Sequence, residues 1–204
     1  MIRSEVEKVK ENFEGLRDEI KSCQKCELCR TRKNPVFGEG DENARILFVG
    51  EAPGRVEDEK GMPFVGHSGK LLDRMLAAVG LNRNEGIFIT NIIKCRPPNN
   101  MDPVEEQQKA CSVYLKRQIE LIDPKIIICL GRIAAYNLLG PEYRVTKDHG
   151  RIQERDGVYV MGMFHPAALL RSNQYKEEAF KDFLILKEFL KRFDGPNLED
   201  SKSS

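Results

Sequence analysis

Residues 46–54 read ILFVGEAPG. Four consecutive apolar residues without polar alternation predict a strand covered on both faces, the pattern of a parallel sheet. Gly50 ends the run, and the polar, glycine-containing segment behind it predicts a loop at the strand's carboxyl end. The same pattern recurs outward from this stretch. Ile87-Phe88-Ile89-Thr90 predicts a second strand, Ile126 to Leu130 a third, and Val158 to Phe164 a fourth, with a partner around Gly150–Glu154.

Helical periodicity fills the intervals. Ile2, Val6, Val9, Phe13, Leu16 and Ile20 alternate steps of four and three, which predicts a first helix. Further helices are expected over 70–79, from an N-cap at Asp102 and N1 at Pro103 to Ile122, from Gly131 to Leu139, and over 175–193. Strand–helix alternation predicts one α/β domain over 1–195, a three-layer αβα sandwich with a central, mainly parallel four-stranded sheet. The tail, 196–204, has no core-forming content and is expected to fray.

The chain has 204 residues, and 33 Lys and Arg against 32 Asp and Glu leave a net charge of +1. That excludes an extremely basic or acidic protein. It does not exclude a nucleic-acid binder, because affinity follows local clustering of charge. No apolar run approaches the length of a membrane span. The charged N-terminus has no apolar h-region, so a cytoplasmic protein without a signal peptide is expected. In a reducing compartment six cysteines read as metal ligands, a nucleophile or buried apolar residues rather than disulfides.

Ligands of open α/β sheets bind beyond the carboxyl ends of the strands. Three unusual segments fall there: 50–69, with Pro53, Pro63 and five glycines, then 91–102 and 164–173. A long loop inside a compact domain is usually functional. The dinucleotide pattern G-x-G-x-x-G is absent, and Gly66-His-Ser-Gly69-Lys70 fails the spacing of a phosphate loop. His67 and His149 read as surface residues. His165 ends an apolar strand and precedes Pro166, which favours an extended backbone and projects it at the sheet edge. Leu169 and Leu170 beside Arg171 suit either a buried helix start or an exposed apolar tip.

Cys23 and Cys26 have C-x2-C spacing in a polar segment. Cys95 opens a loop, and Cys111 lies on the helix that the loop feeds. Four thiols from two distant segments suit zinc or an iron–sulfur cluster, and spacing does not separate the two. Cys29 extends the first pair by one more step and could replace one of its members. Cys129, inside an isoleucine run, reads as a core residue.

The segments GEAPGRVEDEKGMPFVG, ITNIIKCRPPNN and MFHPAALLR, with the cysteine spacing, resemble the family 4 uracil-DNA glycosylases, the iron–sulfur branch of that superfamily. The likeness runs from about Cys23 to Arg171. It implies a [4Fe-4S] cluster on Cys23, Cys26, Cys95 and Cys111, and hydrolysis of the N-glycosidic bond of deoxyuridine in single- or double-stranded DNA. A base must leave the stack to be reached, so a pocket for a flipped base is implied. By the resemblance Phe64 stacks on uracil, Asn91 hydrogen-bonds its edge, and His165 stands near O2. The backbone of Gly50, Glu51 and Ala52 lines the pocket and positions water, and Glu57 crowds the C5 side. Leu169, Leu170 and Arg171 form the loop that enters the DNA minor groove. An amide can donate to O4 and accept from N3–H, which cytosine does not match. A donor at O2 stabilises the leaving anion, as an oxyanion hole does.

Ala52 stands where many members have glycine. No carboxylate occupies the water-activating position of other branches, which is normal for family 4. Lys94-Cys95-Arg96-Pro97-Pro98 replaces the basic insert of the DNA-trapping relatives, so turnover is expected. The expected partners are DNA and other base-excision repair proteins; the expected state is a monomer that makes no membrane contact. The rival readings are a metal-stabilised, non-catalytic nucleic-acid-binding module, a glycosylase acting mainly on another deaminated base, and a zinc hydrolase. An abasic-site lyase would need an active-site lysine, for which Lys70 and Lys94 are candidates by position.

Overall fold

The computed structural model describes residues 12–193. A six-stranded sheet runs through the middle in the order β1-β3-β2-β4-β6-β5. Its four inner strands are β3 (Ile87–Asn91), β2 (Ile46–Gly50), β4 (Ile126–Leu130) and β6 (Val158–Met163). These are mutually parallel. Every residue of β2, β3 and β4 is buried, as expected of strands covered on both faces.

The sheet has two more strands than the four expected, both antiparallel and at its edges. One is β1 (Glu39–Gly40) beside β3, and the other is β5 (Ile152–Arg155) beside β6, where a partner was expected around Gly150–Glu154. A two-residue strand leaves no periodicity to read. Between β5 and β6, Asp156 and Gly157 both have positive φ, the conformation of a tight hairpin turn, and Asp-Gly is its usual sequence.

Alternate residues of each inner strand feed opposite cores. Leu47, Val49 and Phe88 face α1 (Phe13–Ser22), α4 (Glu105–Ile122) and α5 (Arg132–Leu139). Ile46, Phe48, Ile89 and Ile128 face α3 (His67–Ala78) and α8 (Lys176–Leu190). The expected three-layer αβα sandwich is therefore present.

Several boundaries differ from expectation. The long loop after β2 contains a short helix, α2 (Arg55–Lys60), and α3 begins three residues before Lys70. Gly54 caps α2 at its start, and Gly61 ends it at φ 71°, a left-handed cap that suits glycine. Helix α4 does not start at Asp102-Pro103. Val104 is its cap, and its backbone N–H donates to Gln107 Oε1 at 3.1 Å, while Asp102 instead pairs with Arg132. Asn12 caps α1 by accepting from Gly15 N. The expected helical residues 2–9 and the tail 196–204 lie outside the described residues. Two short helices, α6 (Val145–Asp148) and α7 (Pro166–Arg171), flank β5 and β6. Among the described residues no helix is long and apolar enough to cross a membrane.

Candidate active site and cysteine cavity

The strand register brings the motif residues to one edge. Gly50 pairs with Asn91 at the carboxyl ends of β2 and β3. Gly131 donates its N–H to Met163 O, which seats the start of α5 beside the end of β6. Beyond these ends opens a cleft of about 570 Å³, lined by Glu51, Ala52, Glu57, Phe64, Asn91, His165 and Arg171 among others. That volume lies within the usual range for a small-molecule pocket.

Asn91 is 2% exposed, and its Oδ1 is buried without a hydrogen-bond partner. Buried polar atoms in native proteins are almost always satisfied, so an orphan acceptor in a cleft marks where a ligand donor is missing. Gly50 makes the slot possible. A Cβ there would lie 2.4 Å from Asn91 Oδ1 and 2.7 Å from the Phe64 ring.

The Phe64 and His165 rings lie 5.6 Å apart, centroid to centroid, and tilted by 33°. His165 caps α7, and its Nδ1 accepts from Ala167 N at 3.0 Å. Burial pushes the His165 pKa down to about 4, with the Arg171 charge adding to the shift. At neutral pH the ring is therefore uncharged. With Nδ1 used as an acceptor, its proton sits on Nε2. Burial raises the Glu51 carboxyl above its usual range and Asp102 adds to this, while Arg132 and Arg171 oppose it.

Glu57 lines the cleft, but its carboxylate is engaged elsewhere. Oε1 accepts from Val65 N at 3.0 Å and Gly66 N at 2.7 Å, immediately after Phe64. The other side of Phe64 is held by a residue the motifs do not include. Arg83 donates from Nη1 to Phe64 O and from Nη2 to Pro63 O, each at 3.1 Å. Arg83 lies in a polar turn between α3 and β3, and nothing in its local sequence marks it.

The three residues of the expected DNA loop separate. Leu169 is 1% exposed and packs with Phe164 and Ala179, so it is a core residue and presents no surface for DNA. Leu170 is 45% exposed and lines a shallow groove with His67, Lys70 and Arg74. Arg171 lines the main cleft. A six-residue helix turns successive side chains by about 100°, so adjacent leucines cannot share a face.

Neither candidate lyase lysine reaches the cleft. Lys70 is exposed in the side groove. Lys94 is 1% exposed, and its Nζ donates to Thr90 Oγ1 at 2.7 Å, Asn91 O at 2.8 Å and Gln118 Oε1 at 2.6 Å. All three ammonium protons are thus used beneath the strand end that carries Asn91.

Behind that strand end, Cys23, Cys26, Cys29, Cys95 and Cys111 line a second cavity. Hydrogen-bond donors reach three of the sulfurs. Arg32 Nη1 lies 3.1 Å from Cys95 Sγ, Lys94 N 3.3 Å from Cys111 Sγ, and Lys25 N 3.5 Å from Cys23 Sγ. Such donors are the usual outer shell of metal-bound thiolates. Burial pushes the Cys95 thiol up to about 11 and raises Cys111 as well, so without a cation both stay protonated. Among the described residues, no three His, Cys, Asp or Glu side chains converge tightly enough to hold one metal ion. Cys129 is fully buried within β4, as its sequence suggested.

Comparison with known proteins agrees with this geometry. The family model described as "Uracil DNA glycosylase superfamily" matches residues 37–186. A type-4 uracil-DNA glycosylase of Archaeoglobus fulgidus is 49% identical over 181 residues, which cover 85% of this chain and 90% of that protein. A type-4 uracil-DNA glycosylase of Thermotoga maritima is 41% identical, over 89% of this chain and 96% of that protein. A type-5 uracil-DNA glycosylase of Pyrobaculum aerophilum is 31% identical, over 75% of this chain and 74% of that protein. With the match spanning most of the sheet and both walls of the cleft, this chain belongs to the uracil DNA glycosylase superfamily.

Proposed function

We propose that this protein is a monofunctional uracil-DNA glycosylase, which takes deoxyuridine flipped out of single- or double-stranded DNA and hydrolyses its N-glycosidic bond. The observation that carries the reading is the orphan Asn91 Oδ1, set in the slot beside Gly50 and Phe64. Uracil supplies what that atom lacks. Its N3–H donates to Asn91 Oδ1, and Asn91 Nδ2 donates to O4. Cytosine has no proton on N3 and carries an amino group in place of O4, so it meets the amide with the wrong polarity at both atoms.

Phe64 stacks on the base. As the C1′–N1 bond breaks, its electron pair moves onto the uracil ring. The neutral His165 donates from Nε2 to O2 and stabilises that charge, which costs no proton transfer. Water adds to C1′ and releases a proton to solvent, the departing uracil anion takes one from solvent at N1, and neutral uracil is freed. Glu51, with its raised carboxyl at the cleft, is the group we assign to orient that water. The product is an abasic site in an unbroken strand. With Lys94 fully engaged and Lys70 outside the cleft, neither candidate lysine is offered for a lyase step.

Leu170, exposed and apolar, is assigned the gap left by the flipped nucleotide, with Arg171 beside it. Glu57 is assigned to hold the Phe64–Gly66 segment rather than to crowd the base at C5.

The cysteine cavity suits a [4Fe-4S] cluster on Cys23, Cys26, Cys95 and Cys111. Such a cluster takes one thiolate at each of four irons, so its ligands surround a space. A structural zinc would need all four sulfurs at about 2.3 Å from one point. When bound, the cluster supplies cationic charge for buried thiolates and a link between α1, the loop after β3 and α4. It is structural in this reading, and the reaction uses the cleft residues alone. The cytoplasm is the expected site of action.

The test is an oligonucleotide carrying one uracil, run beside its thymine counterpart and treated with hot alkali after incubation. Cleavage at uracil, and only after alkali, is expected. Cleavage before alkali would replace the monofunctional reading with a lyase. No cleavage by cluster-loaded protein would overturn the glycosylase reading.

A further inference from the structure

Phe64 has φ 50°, a left-handed backbone that an aromatic residue rarely adopts. Such a conformation persists only where its surroundings over-determine it. Two charged side chains grip it from opposite sides. The Glu57 carboxylate takes the two amides that follow, Val65 N and Gly66 N. The Arg83 guanidinium donates to the two carbonyls that precede the next peptide, Pro63 O and Phe64 O. Arg83 is itself tethered to Asp73 Oδ1 of α3 at 3.1 Å and to Glu39 Oε2 of β1 at 3.7 Å. Its side chain is only 17% exposed. Gly69 completes the cradle, because a Cβ there would lie 1.7 Å from Phe64 O.

We propose that Arg83 is a positioning residue that holds the Phe64 ring in place for stacking before substrate arrives. The stacking partner rests on the uracil reading above; the grip on Phe64 does not. Arg83 touches only backbone oxygens and carboxylates, so it acts through Phe64. Its planar fork reaches two carbonyls at once, which a lysine ammonium cannot reproduce. The sheet edge thereby serves the site. Strand β1 is two residues long, yet it presents Glu39 to the guanidinium that fixes the pocket wall.

The experiment compares wild type with Arg83→Gln, Arg83→Lys and Asp73→Asn. Three quantities are read: the Cα and Cβ chemical shifts of Phe64, inhibition by free uracil, and affinity for an abasic-site oligonucleotide. In Arg83→Gln the Phe64 shifts are expected to leave the left-handed range. Because base–aromatic stacking is worth ~1–3 kcal/mol, uracil inhibition should weaken by roughly 5- to 150-fold. Oligonucleotide affinity should stay near wild type, since the DNA-facing residues are untouched. Arg83→Lys should recover part of the loss, and Asp73→Asn should show a smaller one. If Arg83→Gln does not fold, the other two variants carry the test.

The proposal is overturned if Phe64 keeps its left-handed shifts and uracil inhibition is unchanged in every variant that folds. It is also overturned if uracil and oligonucleotide affinities fall together, which would mark general loosening. Should wild type not respond to uracil at all, the glycosylase reading fails, and the Phe64 shifts still decide the role of Arg83.

Discussion

Lowering the pH from 7.5 to 4.5 should separate the wild type from a His165→Gln variant. His165 is enclosed on all sides but the cleft, and burial holds its pKa at about 4. In the unfolded chain it returns to about 6.5. The folded state then binds fewer protons than the unfolded state between those values, so stability is lost as pH falls through that window. A drop from 6.5 to 4 corresponds to roughly 3 kcal/mol, and about 2.5 kcal/mol of it is already gone at pH 4.5. His165→Gln lacks this term. Its acid-side loss of stability should be smaller than the wild type's by that amount, measured by urea unfolding at both pH values. Glu51 and Asp182, whose carboxyls burial also raises, titrate in both proteins and cancel in the difference. At neutral pH the same variant should lose ~10²–10³ in single-turnover excision, the cost of one oxyanion-type donor. The imidazole nitrogens report the premise directly by NMR: a neutral ring at pH 6, with the proton on Nε2 because Nδ1 accepts from Ala167 N. An imidazole titrating near 6.5 would refute the burial argument, and a neutral ring protonated at Nδ1 would refute the donor role.

Other substitutions address the remaining parts of the site. Gly69→Ala should cost ~1–3 kcal/mol in unfolding experiments, as overpacking does, because the obstacle is the rigid Phe64 carbonyl; unchanged stability would mean that α3 can shift. Leu169→Ala should cost ~2–5 kcal/mol as a core truncation, whereas Leu170→Ala should leave stability within about 0.5 kcal/mol and slow excision from duplex more than from single strands. Equal effects of Leu170→Ala on both substrates would remove its assignment to the gap. Cys95→Ala should lower melting temperature and solubility together with activity, and it should bleach the visible absorbance of the cluster. Activity lost at full stability would sink the structural role of the cysteines. Lys94→Met should destabilise by ~1–3 kcal/mol through its orphaned acceptors, with product strands still intact until alkali; strand cleavage by wild type that vanishes in Lys94→Met would instead make Lys94 a nucleophile.

The inner strands were legible because a strand covered on both faces is an uninterrupted apolar run, a property of neighbouring residues alone. The cleft was legible for a related reason. Gly50, Asn91 and His165 each end such a run, and parallel strands deliver their carboxyl ends to one edge. The C-x2-C pair and its distant partners were likewise readable as candidate ligands, and the structure brings all four to one cavity. The edge strands were harder. Two residues, Glu39 and Gly40, carry no period, whereas a partner strand was expected around Gly150–Glu154 and β5 lies there.

Contacts between residues far apart in the chain were decided by tertiary structure alone. Arg83 reaches Phe64 across nineteen positions, with its tethers on β1 and α3. Lys94 looked like a loop lysine, and only the assembled core shows its ammonium spent on Thr90, Asn91 and Gln118. Leu169 and Leu170 are chemically identical neighbours, and the packing of α7 against Phe164 and Ala179 chose which one is buried. Local pattern records which face of an element is apolar. It holds no record of which distant charge will find a strained peptide, because that pairing exists only once the sheet has brought them together.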